Sequence, residues 1–193
     1  MRSPRIVLTG LVAVLALSGC SGAWAARGAE AGRPAAREVK QAVTFEAHPG
    51  PAITYDEALV HVGARAAVQS RSGEGSTTVR LAVRGLQPHQ HYGAHVHTDP
   101  CGPHPDDAGP HFQFVVDPVP PSVDPRFANP QNEIWLDIAT DATGAGSAES
   151  TVAWEFPADR RAGSVVLHAM PTSTEPGHAG TAGPRAACIS VAF

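Results

Sequence analysis

From about residue 40 onward the chain consists of short runs in which apolar and polar positions alternate, interrupted by Gly and Pro. Val79, Leu81 and Val83 alternate with Arg80 and Arg84, and Ile134, Leu136 and Ile138 with Trp135 and Asp137. Val152, Trp154 and Phe156 alternate with Ala153 and Glu155, and Val165, Leu167 and Ala169 face opposite to Val166, His168 and Met170. Residues two apart on a strand share a face, so each run is a strand with one side to bury. Turn signals lie between them, in "SRSGEGS", "RGLQPHQ", "TDATGAG" and "PADRRAG". No stretch carries a helical apolar stripe. The pattern predicts an all-β domain, a Greek-key antiparallel β-sandwich or barrel of about eight strands. Two irregular segments, 98–130 and 170–184, are longer than plain connections, and long ordered loops in a compact β domain tend to carry function.

The first forty residues read differently. Arg2 and Arg5 precede an apolar run over 6–17, shorter than the roughly 20 residues a membrane helix needs. This is the pattern of an export signal. The run ends in Leu17-Ser18-Gly19-Cys20, similar to the lipobox of bacterial lipoproteins, in which the cysteine is acylated and becomes the new N-terminus. Cleavage after Ala23-Trp24-Ala25 is the competing reading and gives a soluble product. Residues 21–39 lack periodicity and read as a flexible tether reaching about 25 Å, which leaves 40–193 as the domain. Both readings place the protein outside the cytoplasm, either lipid-anchored to a bacterial membrane through Cys20 or secreted or periplasmic. With Cys20 lipidated, Cys101 and Cys188 remain as a pair. A bridge between them would close a loop of roughly 90 residues, which the chain-entropy estimate values at about 4–5 kcal/mol.

A net charge of −4 gives no basic field, which excludes nucleic acid as a natural partner. Ten histidines are more informative, since imidazole suits copper, zinc, iron and nickel. His95 and His97 stand two apart in "YGAHVHTDPCG" and on a strand would project side by side. His111 sits in the long loop as "AGPHFQ", and His168 on a late strand as "VVLHAM". Each alone is an ordinary histidine; their joint occurrence in these contexts is what carries weight.

The segments "RGLQPHQHYGAHVHTDPCG", "AGPHFQ", "VVLHA" and "GTAGPRAACISV" resemble, in order and approximate spacing, four motifs of the copper/zinc superoxide dismutases. The resemblance runs from about residue 78 to Phe193 and is weaker over 40–77. It implies His95, His97, His111 and His168 as copper ligands, a Cys101–Cys188 disulfide, and Arg185 as the catalytic guanidinium that receives superoxide at the copper. It also implies the family's reaction, in which one superoxide is oxidised to O2 and another reduced to H2O2.

The chain departs from the family where zinc would bind. Zinc-bearing members supply two further histidines and an aspartate, whereas no histidine lies between His111 and His168 here. Carboxylates with one shared imidazole make a poor zinc site, so one copper and no zinc is expected. His111 would then be a neutral ligand whose second nitrogen keeps a proton. Metal-bound imidazoles donate that N–H to a carboxylate, carbonyl or water, and Asp117, Asp124, Glu133 and Glu175 are the candidates. Prolines 118, 120, 121, 125 and 130 crowd the same loop and either stiffen it in place of zinc or accompany a mobile segment. His104 reads as a surface turn, His178 as without a role, and Met170 as core packing. The segment 169–184 is shortened relative to the charged channel loop of the family it resembles and lacks lysine, leaving Arg185 as the main attraction for superoxide. Two functions follow: an exported copper-dependent superoxide dismutase, or a copper-sequestering lipoprotein on the same fold. Arg185 favours the enzyme, because storage has no use for it.

Overall fold

A computed structural model describes residues 35–193. The expected signal sequence and Cys20 lie outside them. The first strand, β1 (Arg37–Thr44), begins inside the stretch read as tether. It is followed by β2 (Ala52–Thr54), β3 (Val60–Gly73), β4 (Ser76–Leu86), β5 (His91–Tyr92), β6 (Ala94–His97), a 3-10 turn at Pro105–Ala108, β7 (Ile138–Ala139), β8 (Gly146–Val152), β9 (Ser164–His168) and β10 (Arg185–Ser190). The architecture is all-β and antiparallel. One four-stranded sheet has the order β1-β3-β4-β8, a second has β2-β10-β9-β6, and β5 pairs with β7 in a ribbon. β8 joins the edge of β4 only after the chain has crossed through the second sheet, the crossed connection of a Greek key.

The alternation read over 79–84 is that of β4 in the first sheet, and β3 repeats it. Val79, Leu81 and Val83 of β4 and Ala64, Ala66 and Val68 of β3 are buried, while Arg65, Arg80 and Arg84 face outward. The β3–β4 hairpin turns at Glu74 (φ 59°) and Gly75 (φ 80°). That pair of positive φ values matches the right-handed twist of the strands it joins. The runs at 134–138 and 152–156 keep their inward faces, since Ile134, Leu136, Ile138, Trp154 and Phe156 are buried. Only Ile138 and Val152 among these apolar positions lie in named strands, although 134–136 also pairs with β6, Val96 N–H donating to Ile134 O and Leu136 N–H to Ala94 O.

The second sheet is buried on both sides. Ala94, Val96, Val165, Leu167, Ala187 and Ile189 point into the core between the sheets. The opposite face carries His95, His97, Val166, His168 and Cys188, and the loops cover it. A disulfide joins Cys101 to Cys188, with Cα atoms 5.7 Å apart, and closes a sequence separation of 87. Around it the Tyr55 hydroxyl donates to the Gly102 carbonyl at 2.9 Å, and Ser190 Oγ accepts the Cys101 N–H at 3.1 Å. The loop after β6 is thereby held onto the strand that carries Arg185. Replacing both cysteines by alanine is expected to lower unfolding free energy by about 2–4 kcal/mol, measured by urea denaturation against the oxidised wild type. An unchanged midpoint would contradict it.

Candidate metal centre

The four histidines converge through register. β6 and β9 pair antiparallel with His95 opposite Val166 and His97 opposite Ser164, which sets His95, His97 and His168 on one face. The other edge of β6 is met by two loop segments. His111 bridges His97, with Thr98 N–H donating to Pro110 O at 3.0 Å and Phe112 N–H to Val96 O at 2.8 Å, and Trp135 bridges His95. Directly opposed residues of antiparallel strands share a face, so this bridge is what brings the loop histidine beside the strand pair. The ring centroids lie between 4.1 Å (His95–His111) and 6.5 Å (His95–His97) apart.

Each imidazole has one nitrogen engaged. His97 Nδ1 lies 2.9 Å from the Gly109 carbonyl and His168 Nδ1 3.2 Å from the Gly183 carbonyl; a carbonyl only accepts, so both nitrogens carry the proton. His111 Nδ1 lies 2.8 Å from Glu133 Oε2. His95 Nε2 meets Thr172 Oγ1 at 2.7 Å, and that hydroxyl donates onward to Asp137 Oδ1 at 2.6 Å, so it accepts from His95. The remaining nitrogens, His95 Nδ1, His97 Nε2 and His168 Nε2, are buried without a partner. An unpaired buried polar atom is costly unless something binds it. The four histidines each offer one ring nitrogen, all within 4.8 Å of one another, a set that can hold one metal ion. Tetragonal all-imidazole sets suit copper(II), and imidazole also suits zinc, iron and nickel.

Of the four carboxylates considered beside His111, the fold selects Glu133. It is buried, and Oε2 also accepts the Trp135 Nε1–H at 2.7 Å while Oε1 accepts from Gln113 at 2.8 Å. Asp117 instead accepts from Val119 N–H and the Ser122 hydroxyl, and Asp124 pairs with Arg126.

Arg185 reaches the same face through an irregularity. It pairs with His168, whereas Ala187 pairs with Leu167, and the register shifts between them. On a regular strand Arg185 would share the core-facing side of Ala187; the bulge turns it to the histidine side. Its guanidinium is half-buried and donates from Nη1 to Pro105 O and from Nη2 to Gly109 O, both at 2.7 Å. Pro184 does not displace it, and its carbonyl accepts the Ala169 N–H. The Gly109 carbonyl thus fixes both a histidine and the arginine. Gly109 has φ 70°, and a Cβ there would collide with Asp99 Oδ2 and Thr98 Oγ1. His104 is exposed ahead of the 3-10 turn, as expected. Met170 is not core: β9 ends at His168, and the side chain stands 56% exposed. Thr172 and the Gly109 and Gly183 carbonyls had no part in the sequence reading, and Asp137 entered it as a polar position of an alternating run.

Burial pushes the imidazole pKa values of His95 and His97 well below the usual value, with neighbouring His111 adding to the effect. Burial likewise holds His168 at about 4. Depressed in the folded state, these bases favour folding fully only above the unfolded value of about 6.5, and that contribution is lost as pH falls from there toward 4. The metal-free protein should therefore show a lower urea midpoint at pH 5 than at pH 7.5; equal midpoints would contradict the buried, neutral rings. Glu133→Gln keeps an oxygen for His111 but sets its amide NH2 against the Gln113 Nε2 donor. Metal affinity, with copper(II) as the probe ion, is expected to fall about 10- to 100-fold, measured by competition with a chromophoric chelator.

No protein-family model and no curated protein matches the chain. Among solved structures it is similar to a Cu/Zn superoxide dismutase from Brucella abortus, at 19% identity and a TM-score of 0.51, covering 80% of this chain and 100% of that one. A crystal structure of the clock protein EA4 aligns at 18% identity and a TM-score of 0.48, over 67% of this chain and 87% of that one. At 19% identity the Brucella likeness establishes a shared fold: the chain has a Cu/Zn superoxide dismutase-like β-sandwich with a four-histidine cluster able to bind a metal.

Proposed function

We propose that the protein is an exported copper-dependent superoxide dismutase, with His95, His97, His111 and His168 holding one copper and Arg185 receiving the substrate. The net reaction takes two superoxide ions and two protons to O2 and H2O2. When bound, copper supplies the one-electron couple this reaction needs. The observation that carries the reading is the placement of Arg185. A strand bulge and two carbonyls hold its guanidinium on the histidine face, where it lines the cleft over His111 and His168. An always-charged, rigid cation attracts and orients a small anion, and a copper store has no need of one.

The chain's own groups also set the proton positions. Glu133 keeps the His111 proton on Nδ1, so the ring is a neutral ligand and that nitrogen faces a carboxylate instead of a second metal. With Glu133, Asp117 and Asp124 each committed to donors of their own, a copper-only site is the reading we favour. Gly109, Gly183 and the Thr172–Asp137 pair hold the other three rings in single tautomers. The protons consumed in forming H2O2 come from solvent through the open cleft.

Export is part of the same proposal, with Cys20 lipidated or the chain released after Ala25. The Cys101–Cys188 disulfide supports it, since such bonds persist in oxidising compartments. Reconstitution with both ions is expected to leave about one copper and no zinc per chain; stoichiometric zinc by metal analysis would refute this. The copper-loaded protein should accelerate superoxide decay, and Arg185→Ala should slow it by about 10- to 100-fold while retaining copper. Tight copper binding with no acceleration in the wild type would mean a copper-sequestering protein.

A further inference from the structure

The cleft beside the histidines has a volume of about 800 Å3, far more than a diatomic anion fills. His111, His168 and Arg185 border its floor, and Val116, Pro118, Val119 and Pro121 line one wall. Val116 and Val119 stand 60% and 66% exposed. Among the described residues, four of the six large apolar side chains left exposed belong to positions 114–119, and two of these, Val116 and Val119, line the cleft. Contiguous exposed apolar groups rimmed by polar ones mark binding surfaces.

The wall is fixed in place. Asn132 accepts the Val115 N–H at 2.7 Å and donates to the Val115 carbonyl at 2.8 Å. Gln113 Oε1 accepts the Asp117 N–H, and Arg160 donates to the carbonyls of Gln113 and Phe114. The two carboxylates bordering the cleft, Asp117 and Glu133, have both oxygens hydrogen-bonded to protein donors. Arg185 commits two of its five N–H donors to carbonyls, which leaves the others for a ligand. Ligand sites are typically clefts of about 300–1,000 Å3 with apolar walls and a few orienting polar groups.

We propose that this cleft binds a small amphiphilic organic monoanion, an aromatic or branched-aliphatic carboxylate. Its carboxylate lies on Arg185 and its hydrocarbon body covers Val116, Val119 and the adjoining prolines. A carboxylate matches the guanidinium fork, and the body removes water from the exposed wall. The binding shares Arg185 with the superoxide reading without resting on it, because it needs neither a metal nor turnover. Where both occur, the organic anion competes with superoxide for Arg185.

Calorimetric titration at fixed ionic strength tests this, with 4-tert-butylbenzoate and acetate as probes, on the protein before and after copper loading. The expected result is one site per chain with 4-tert-butylbenzoate at least about tenfold tighter than acetate. Val116→Ser with Val119→Ser, both exposed and tolerant of change, should abolish that preference and leave acetate binding as it was. Arg185→Gln should lose both acids. Equal affinity for the two probes, a preference that survives the serine variant, or undiminished binding by Arg185→Gln overturns the proposal. Sedimentation provides a further check. If the wild type is a dimer that the serine variant dissociates, the wall is a self-interface and the proposal falls. None of these readouts depends on superoxide decay, so failure here is separable from failure of the dismutase reading.

Discussion

Burying four imidazoles side by side is unfavourable unless each ring has a hydrogen-bond acceptor on one nitrogen and something to bind on the other. Much of the domain answers that constraint. The acceptors come from the two long loops and from the segment between the first loop and β7: Gly109, Glu133 and Asp137 lie between β6 and β7, and Thr172 and Gly183 between β9 and β10. The sheet supplies ring positions, and the loops supply tautomers. This division explains why the disulfide sits where it does. It clamps the β6–β7 loop to β10 at the point where that loop delivers the Gly109 and Pro105 carbonyls.

The same oxygen of Gly109 orients the His97 ring and the Arg185 guanidinium, which couples the position of the arginine to the geometry of the histidine cluster. A side chain at residue 109 has no space and an unfavourable φ. The bulge at Ala186 is the second coupling element. Its carbonyl accepts the N–H groups of both Tyr55 and Asp56, so the β2 end of the sheet holds the irregularity that turns Arg185 toward the histidines. Loop, bulge and bridge therefore act as one unit.

Much of this was legible in the residues. Alternation over 79–84 marked β4 of the outer sheet, and the histidines, cysteines and arginine that meet on the second sheet were each singled out. The supporting parts were harder to read for definite reasons. Gly109 and Gly183 act through backbone carbonyls, which leave no residue signature. Thr172 and Asp137 are 35 residues apart, and only the docking of one loop on the other joins them. Glu133 was one of four candidate carboxylates, and ranking them needed to know that residues 134–136 run beside β6. Met170 was placed in the core because strand periodicity was carried two residues too far, past the point where β9 ends at His168.

The central claim is a mononuclear copper site of four imidazoles in which His111 Nδ1 keeps its proton on Glu133. Electron paramagnetic resonance of the copper(II)-loaded protein tests it most directly, read before and after addition of zinc. The expected spectrum is tetragonal with hyperfine coupling to four nitrogens, and zinc leaves it unchanged. Fewer coupled nitrogens, or a spectrum that shifts when zinc is added, would contradict it.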